Sequence, residues 1–290
     1  MVNFTKILKF RIVLPILLLM VTACSTNTER RTNDSIGPLS ADARNEIARK
    51  DPEGLVRVGE GFERSGNFVN ALNLYEQALA VKPYLLSAEI AKGRILSRSN
   101  KHAEGISILQ NILQDHPQMN EVILTLAQAH MFNQNYNKAY SVITPLAQAG
   151  QATIAHLNLA GSLAEVLNLH AAAKRYYDKA LQINPKDMET ALKLSISFAL
   201  DEEYQSAIAL LQPLLNNPRQ KRTATRTLAN IYALSGQLEA AKVIMQSLPY
   251  TEETKQSDKF FQLLDTMNKQ EKAITLLFNV VPKSILNRSN

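Results

Sequence analysis

Residues 52–85 read PEGLVRVGEGFERSGNFVNALNLYEQALAVKPYL, and their pattern returns every 34 positions down the chain. Small residues stand at Ala71, Gly105, Ala139, Ala173, Ala207 and Ala241. Four positions on come Tyr75, Leu109, Ile143, Tyr177, Leu211 and Met245. Three further stand Ala78, Ile112, Leu146, Ala180, Leu214 and Leu248. An upstream column holds Gly59, Gly93, Ala127, Gly161, Ser195 and Ala229. Pro83, Pro117 and Pro185 close three units in register, while Pro218 and Pro249 fall near the ends of two others. Spacings of three and four are helical, and a fixed period in this size range marks stacked supersecondary units. Small residues let the two helices of a unit approach closely, and large ones fill the space between neighbouring pairs. Proline ends the second helix because it has no amide to donate.

The six copies resemble the tetratricopeptide repeat, over residues 52–249. The clearest copy is the first, with Gly59, Phe62, Ala71, Tyr75, Ala78 and Pro83. Departures are the lack of tryptophan, Gly105 in place of alanine, and Ala149-Gly150 without proline at the end of the third unit. The resemblance implies an all-α chain, a tetratricopeptide-repeat α-solenoid. After Met245 the register degrades. Residues 253–268, with Phe260, Leu263, Leu264 and Met267, and 270–281, with Ala273, Leu276, Leu277 and Val280, read as two amphipathic helices. They are expected to cap the stack as a divergent seventh hairpin within 250–290, because terminal repeats need a polar outer face.

The other end carries an address. Lys6, Lys9 and Arg11 precede an apolar run from Ile12 to Val21, and no acid occurs in residues 1–28. That is the layout of a secretory signal peptide, and the run is too short for a membrane span of about 20 residues. Val21-Thr22-Ala23-Cys24 resembles the lipobox of bacterial lipoproteins, and Cys24 is the only cysteine. The resemblance implies removal of residues 1–23 and covalent lipid on Cys24, and more than one acyl chain gives stable anchoring. Ser25, rather than Asp, implies sorting to the outer membrane. Residues 24–39 lack periodicity and end near Gly37-Pro38, as a flexible tether does. Ser40 then reads as the N-cap of a short helix over 40–51, closed by Asp51-Pro52.

Composition narrows the function. The net charge of +6 includes three signal-peptide cations, so the mature chain carries about 29 basic against 26 acidic groups. Such near-balance gives no nucleic-acid footprint. The nucleotide, zinc-protease and serine-hydrolase signatures are missing. GEGFERSG (59–66) lacks dinucleotide-binding spacing and reads as a packing glycine followed by a turn. His102, His116, His130, His156 and His170 fall at unrelated repeat positions. The basic pairs Arg30-Arg31 and Arg219–Arg222 read as solvated loops. The chain is expected to be no enzyme, with no cofactor or metal beyond the lipid on Cys24.

In such solenoids the first helix of each repeat lines a concave groove, chiefly at repeat positions 2, 5, 9, 12 and 13. Carried over, this gives Val56, Glu60 and Arg64, then Ile90, Arg94 and Arg98, then Leu124, Gln128, Met131 and Phe132. Asn158, Ser162 and Val166 follow, then Leu192, Ile196 and Leu200, and lastly Arg226 and Asn230. The position-5 residues have a second possible place in the core. Met131 and Phe132 stand at the end of a first helix, where the register points them across the groove. An apolar middle predicts an amphipathic or extended apolar segment as ligand. Glu165 is expected at an exposed groove position, and Ala173 between packed helices.

Lipidated cysteine, tether and solenoid together resemble the TadD family of the tight-adherence (Tad/Flp) pilus system. That implies a pilotin-like scaffold, on the outer membrane and facing the periplasm, whose partner is the secretin or another pilus subunit. Pilotins of type IV pilus systems share the layout, and an adaptor for peptidoglycan hydrolases or proteases is the alternative of a different kind.

Overall fold

The computed structural model describes Glu46 and residues 50–99, 101–249 and 251–286. The signal peptide, Cys24 and the tether lie outside these residues, as does most of the expected 40–51 helix. Of that helix, Glu46 and Lys50 are helical and form an i,i+4 ion pair of 2.6 Å.

The first hairpin shows how the repeat builds itself. Asp51 accepts a hydrogen bond from the Gly54 amide at 2.8 Å and Pro52 follows it, so α1 (Pro52–Arg64) starts with a cap and a preset backbone angle. Asn67 caps α2 (Phe68–Val81) in the same manner. Five further hairpins follow along the described chain. They are α3 (Leu86–Arg98) with α4 (His102–Asp115), α5 (Asn120–Phe132) with α6 (Tyr136–Gln148), and α7 (Ile154–Val166) with α8 (His170–Ile183). Next come α9 (Met188–Leu200) with α10 (Tyr204–Leu215) and α11 (Lys221–Leu234) with α12 (Leu238–Gln246). Each helix packs on its hairpin partner and on the next unit, as in a solenoid.

The small-residue columns meet between paired helices. Ala71, Ala139, Ala173, Ala207 and Ala241 are all fully buried. Where the facing residue is a tyrosine, its partner is glycine. A Cβ on Gly59 would stand 2.5 Å from the Tyr75 ring, and one on Gly161 would stand 2.7 Å from the Tyr177 ring. Where the large residue is Ile143 or Met245, the facing column holds Ala127 or Ala229. Gly105 has its own reason. A Cβ there would lie 2.6 Å from the Gly93 carbonyl oxygen, so α3 and α4 touch backbone to backbone.

The turns inside the hairpins carry a second, less visible period. Gly66, Gln134, Asn168, Glu202 and Gly236, all in one 34-residue register, have left-handed φ between 59° and 79°. At each, the next residue's amide reaches back five positions to a helix carbonyl at 2.8–2.9 Å, as Asn67 does to Phe62 and Glu203 to Phe198. These are Schellman closures, in which glycine costs least. A non-glycine residue in this conformation loses roughly 1–2 kcal/mol, part of which is offset by the flexibility glycine adds to the unfolded chain. Glu202→Gly is therefore expected to stabilise by about 0.5–1 kcal/mol and to raise Tm by about 1–3 °C in a thermal melt.

The C-terminal segment departs from the expected capping hairpin. After the single turn α13 (Glu252–Lys255), α14 (Ser257–Asp265) packs on α11 and α12, where a seventh first helix belongs. Its expected partner, α15 (Lys269–Phe278), lies instead against α7 and α9, and the short α16 (Lys283–Leu286) follows. The physical reason is on both surfaces. Asn268 and Glu271 form a reciprocal capping box that starts α15 afresh, at 2.9 and 3.0 Å. Ala273, Ile274 and Leu277 then bury against Val166, Ile196 and Leu200, an apolar row that water would otherwise cover.

Candidate functional site

The first helices α1, α3, α5, α7, α9 and α11 carry the positions from which a tetratricopeptide groove is built, and the structure divides them into three stretches. At the N-terminal end the surface is charged and tied together. Arg94 donates two hydrogen bonds to Glu63, both 2.9 Å, and Tyr75 donates a third at 3.1 Å. Arg98 stands 3.6 Å from the same carboxylate and covers the Phe68 ring at 4.9 Å. Arg94 thus links two repeats, and Glu60 and Arg64 lie beside this cluster on α1. Val56 and Ile90 belong to the inter-helix core, only 3% and 5% exposed, which is the second of the two places open to position-5 residues.

In the middle stretch Leu124, Gln128, Met131 and Phe132 are half-buried. Leu124 and Met131 rest against the central core. Asn158 is buried and accepts a hydrogen bond from Thr190 at 2.9 Å, joining α7 to α9. Ser162 is buried with its hydroxyl 3.0 Å from that of Tyr177. Glu165 is the clear correction. It is 1% exposed, accepts a hydrogen bond from Ser197 at 2.6 Å, and pairs with His170 Nδ1 at 2.5 Å. A carboxylate in that place joins two repeats across the stack and presents no surface to a ligand.

The C-terminal stretch is covered by α15. Val166 and Leu200 lie beneath it, and Tyr136 stacks on Phe278 with the ring planes 3° apart. Lys269 reaches Asp201 at 3.3 Å, and Lys174 reaches the same carboxylate at 2.8 Å. The Lys174 hydrogen bond, helped by Lys269, holds the Asp201 carboxyl below its ordinary range. Between α9, α11, α14 and the inner side of α15 remains a cavity of about 560 Å³. It brings together Leu192, Ile196, Arg226 and Asn230, with Phe260 and Leu276 opposite. Lys193 points in as well, 3.4 Å from Glu189, and burial pushes its ammonium below the usual lysine range. Glu189, Thr223, Thr227 and Gln256 stand among the apolar residues of this lining, and such a mixed wall suits one side of an amphipathic helix or an extended chain.

Sequence reasoning missed α15 as part of this site, although one signal was present. From His156 to Val166 every residue of α7 is buried, and its polar stripe of Asn158, Ser162 and Glu165 is spent on bonds inside the stack to Thr190, Tyr177, Ser197 and His170. The apolar residues left over, Leu159, Leu163 and Val166 among them, occupy the remaining sides of α7 and need cover of their own. Among the described residues no three His, Cys, Asp or Glu side chains cluster as a metal site, and no helix is long and apolar enough to cross a membrane.

Models of the tetratricopeptide repeat match residues 96–163 and 156–187. The chain folds as a tetratricopeptide-repeat solenoid, an architecture that typically serves as a non-catalytic scaffold for protein partners. A tetratricopeptide repeat protein from Parabacteroides merdae aligns at 18% identity and TM-score 0.61, over 82% of this chain and 97% of its own. PilF of Pseudomonas aeruginosa aligns at 16% identity and TM-score 0.56, over 74% and 99%. Likeness at these identities concerns the fold. No curated protein matches the sequence.

Proposed function

We propose that this chain is a lipid-anchored scaffold of the outer membrane, facing the periplasm, which binds a pilus or secretion subunit such as a secretin and helps it assemble. The observation that carries the reading is Val21-Thr22-Ala23-Cys24 at the end of an apolar run, joined through a polar tether to a solenoid without catalytic signatures. A likeness in fold to PilF, a pilus-related tetratricopeptide protein, supports the pilus context. The Tad/Flp system is the first choice within it, a type IV pilus the second. Met131 and Phe132, half-buried beside the charged stretch, supply apolar surface for the partner.

One experiment in the native host tests both halves. Cys24→Ser should abolish palmitate labelling and release the protein from membranes, or leave an unprocessed precursor. Unchanged labelling would sink the anchor. In the same host, Met131→Ala with Phe132→Ala should weaken capture of the secretin by about 2 kcal/mol, roughly thirtyfold, while anchoring and folding persist. Equal capture by wild type and double variant would place the partner on another face, and an adaptor role would instead recover a peptidoglycan hydrolase or protease.

A further inference from the structure

The seat of α15 has the features of an exchangeable contact. α15 is far in sequence from the helices it covers, and it is joined to α14 only by Thr266–Asn268. Its exit is equally abrupt, because Asn279 turns the backbone left-handed at φ 55° and ends the helix. Its start is held within the C-terminal segment by the Asn268–Glu271 capping box and by the Ser284 hydroxyl on Glu271 at 2.7 Å, whereas its polar tie to the groove, Lys269 to Asp201, is an exposed ion pair, a kind worth little. The cavity of about 560 Å³ lies under its inner side, where Thr275 and Leu276 leave space against Leu192, Ile196 and Phe260. A helix that served only to complete the core would be packed to interior density there.

We propose that the surface formed by α7, α9 and α11 is a helix-binding site which α15 keeps closed as an internal ligand, and that its partner is an amphipathic protein helix of the same pattern. α15 itself states the pattern. A small residue and an aliphatic one, as Ala273-Ile274, are followed three positions on by aliphatic-aromatic, as Leu277-Phe278, with a cation one turn ahead for Asp201. A partner with bulkier side chains at the places of Thr275 and Leu276 fills the cavity and so outcompetes α15. The site is thus specific for a helix, and its apparent affinity is lowered by the fraction of molecules with α15 docked. This rests on the reading of the chain as a protein-binding scaffold, but not on the membrane anchor or on a secretin.

The test uses the full chain and a fluorescein-labelled peptide of residues 266–281. Leu277→Glu places a charge in the buried face of α15, and Lys269→Glu sets like charges against each other at its exposed end. In hydrogen exchange, amides of 269–278 should exchange at least tenfold faster in Leu277→Glu, while 154–166 and 188–200 keep their protection. By fluorescence anisotropy the peptide should bind Leu277→Glu at least tenfold more tightly than wild type, and Lys269→Glu about threefold more tightly. Peptide affinities unchanged from wild type, or loss of protection along 154–200 together with 269–278 in both variants, would overturn the proposal. Since no secretin is present in the assay, either result leaves the proposed pilus role to its own experiment.

Discussion

Ala173→Glu is expected to destabilise the solenoid by about 3–5 kcal/mol, lowering Tm by roughly 8–16 °C. Ala173 is fully buried on α8, against the central core that holds Ala160, Leu163 and Tyr177. The larger side chain has to push α7 and α8 apart where α7 has no exposed flank to yield, and overpacking alone costs typically 1–3 kcal/mol. A carboxylate taken among these apolar side chains loses its hydration, which adds several kcal/mol or forces local opening. Because each repeat leans chiefly on its neighbours, with α15 added on the fourth and fifth, the damage should begin in the fourth unit and uncouple the first three from the rest. Circular dichroism should show a lower and broader melt, and hydrogen exchange should rise first over 154–183. A melt within about 2 °C of wild type would mean that the 34-residue column does not mark the contact between paired helices.

That column was legible because its physics is local and repeats. A residue facing its hairpin partner must be small wherever the other is large, so Gly59 with Tyr75 and Gly161 with Tyr177 announce the contact without any coordinates. Two features were not legible, for different reasons. Gln134 and Glu202 carry no mark of a left-handed turn, since a Schellman closure tolerates such residues at a cost that six stacked hairpins absorb. The apolar face of α15 reads alike for a capping helix and for one laid into the groove, because periodicity tells which side is buried but not against what. The groove positions were legible only as directions. Repeat numbering chose Val56, Arg94 and Asn158 by direction, whereas neighbouring side chains decide whether that direction ends in core, in an ion pair or in water.

Glu165→Ala is the second large effect, expected at about 2–4 kcal/mol, from a position where numbering alone suggests an exposed groove residue. The side chain of Glu165 has no exposed surface. Its two oxygens are divided between neighbours, one taking the Ser197 hydroxyl from α9 and the other facing His170 across the hairpin turn. Glu63, three repeats earlier at the same position, divides itself likewise between Tyr75 in its own repeat and Arg94 in the next. Position 12 therefore holds an acid as a link between successive units in the first and fourth repeats. Removing it from the fourth leaves Ser197 buried without its acceptor and a void beside Val166, the residue on which α15 rests. Glu165→Gln keeps an acceptor for Ser197 and the same volume, so it should lose clearly less than alanine does. Chemical denaturation of the four proteins measures the order, wild type above glutamine above alanine, with Ala173→Glu lowest. Glutamine and alanine variants of equal stability would show that volume, and not the shared carboxylate, is what the fourth repeat requires at this place.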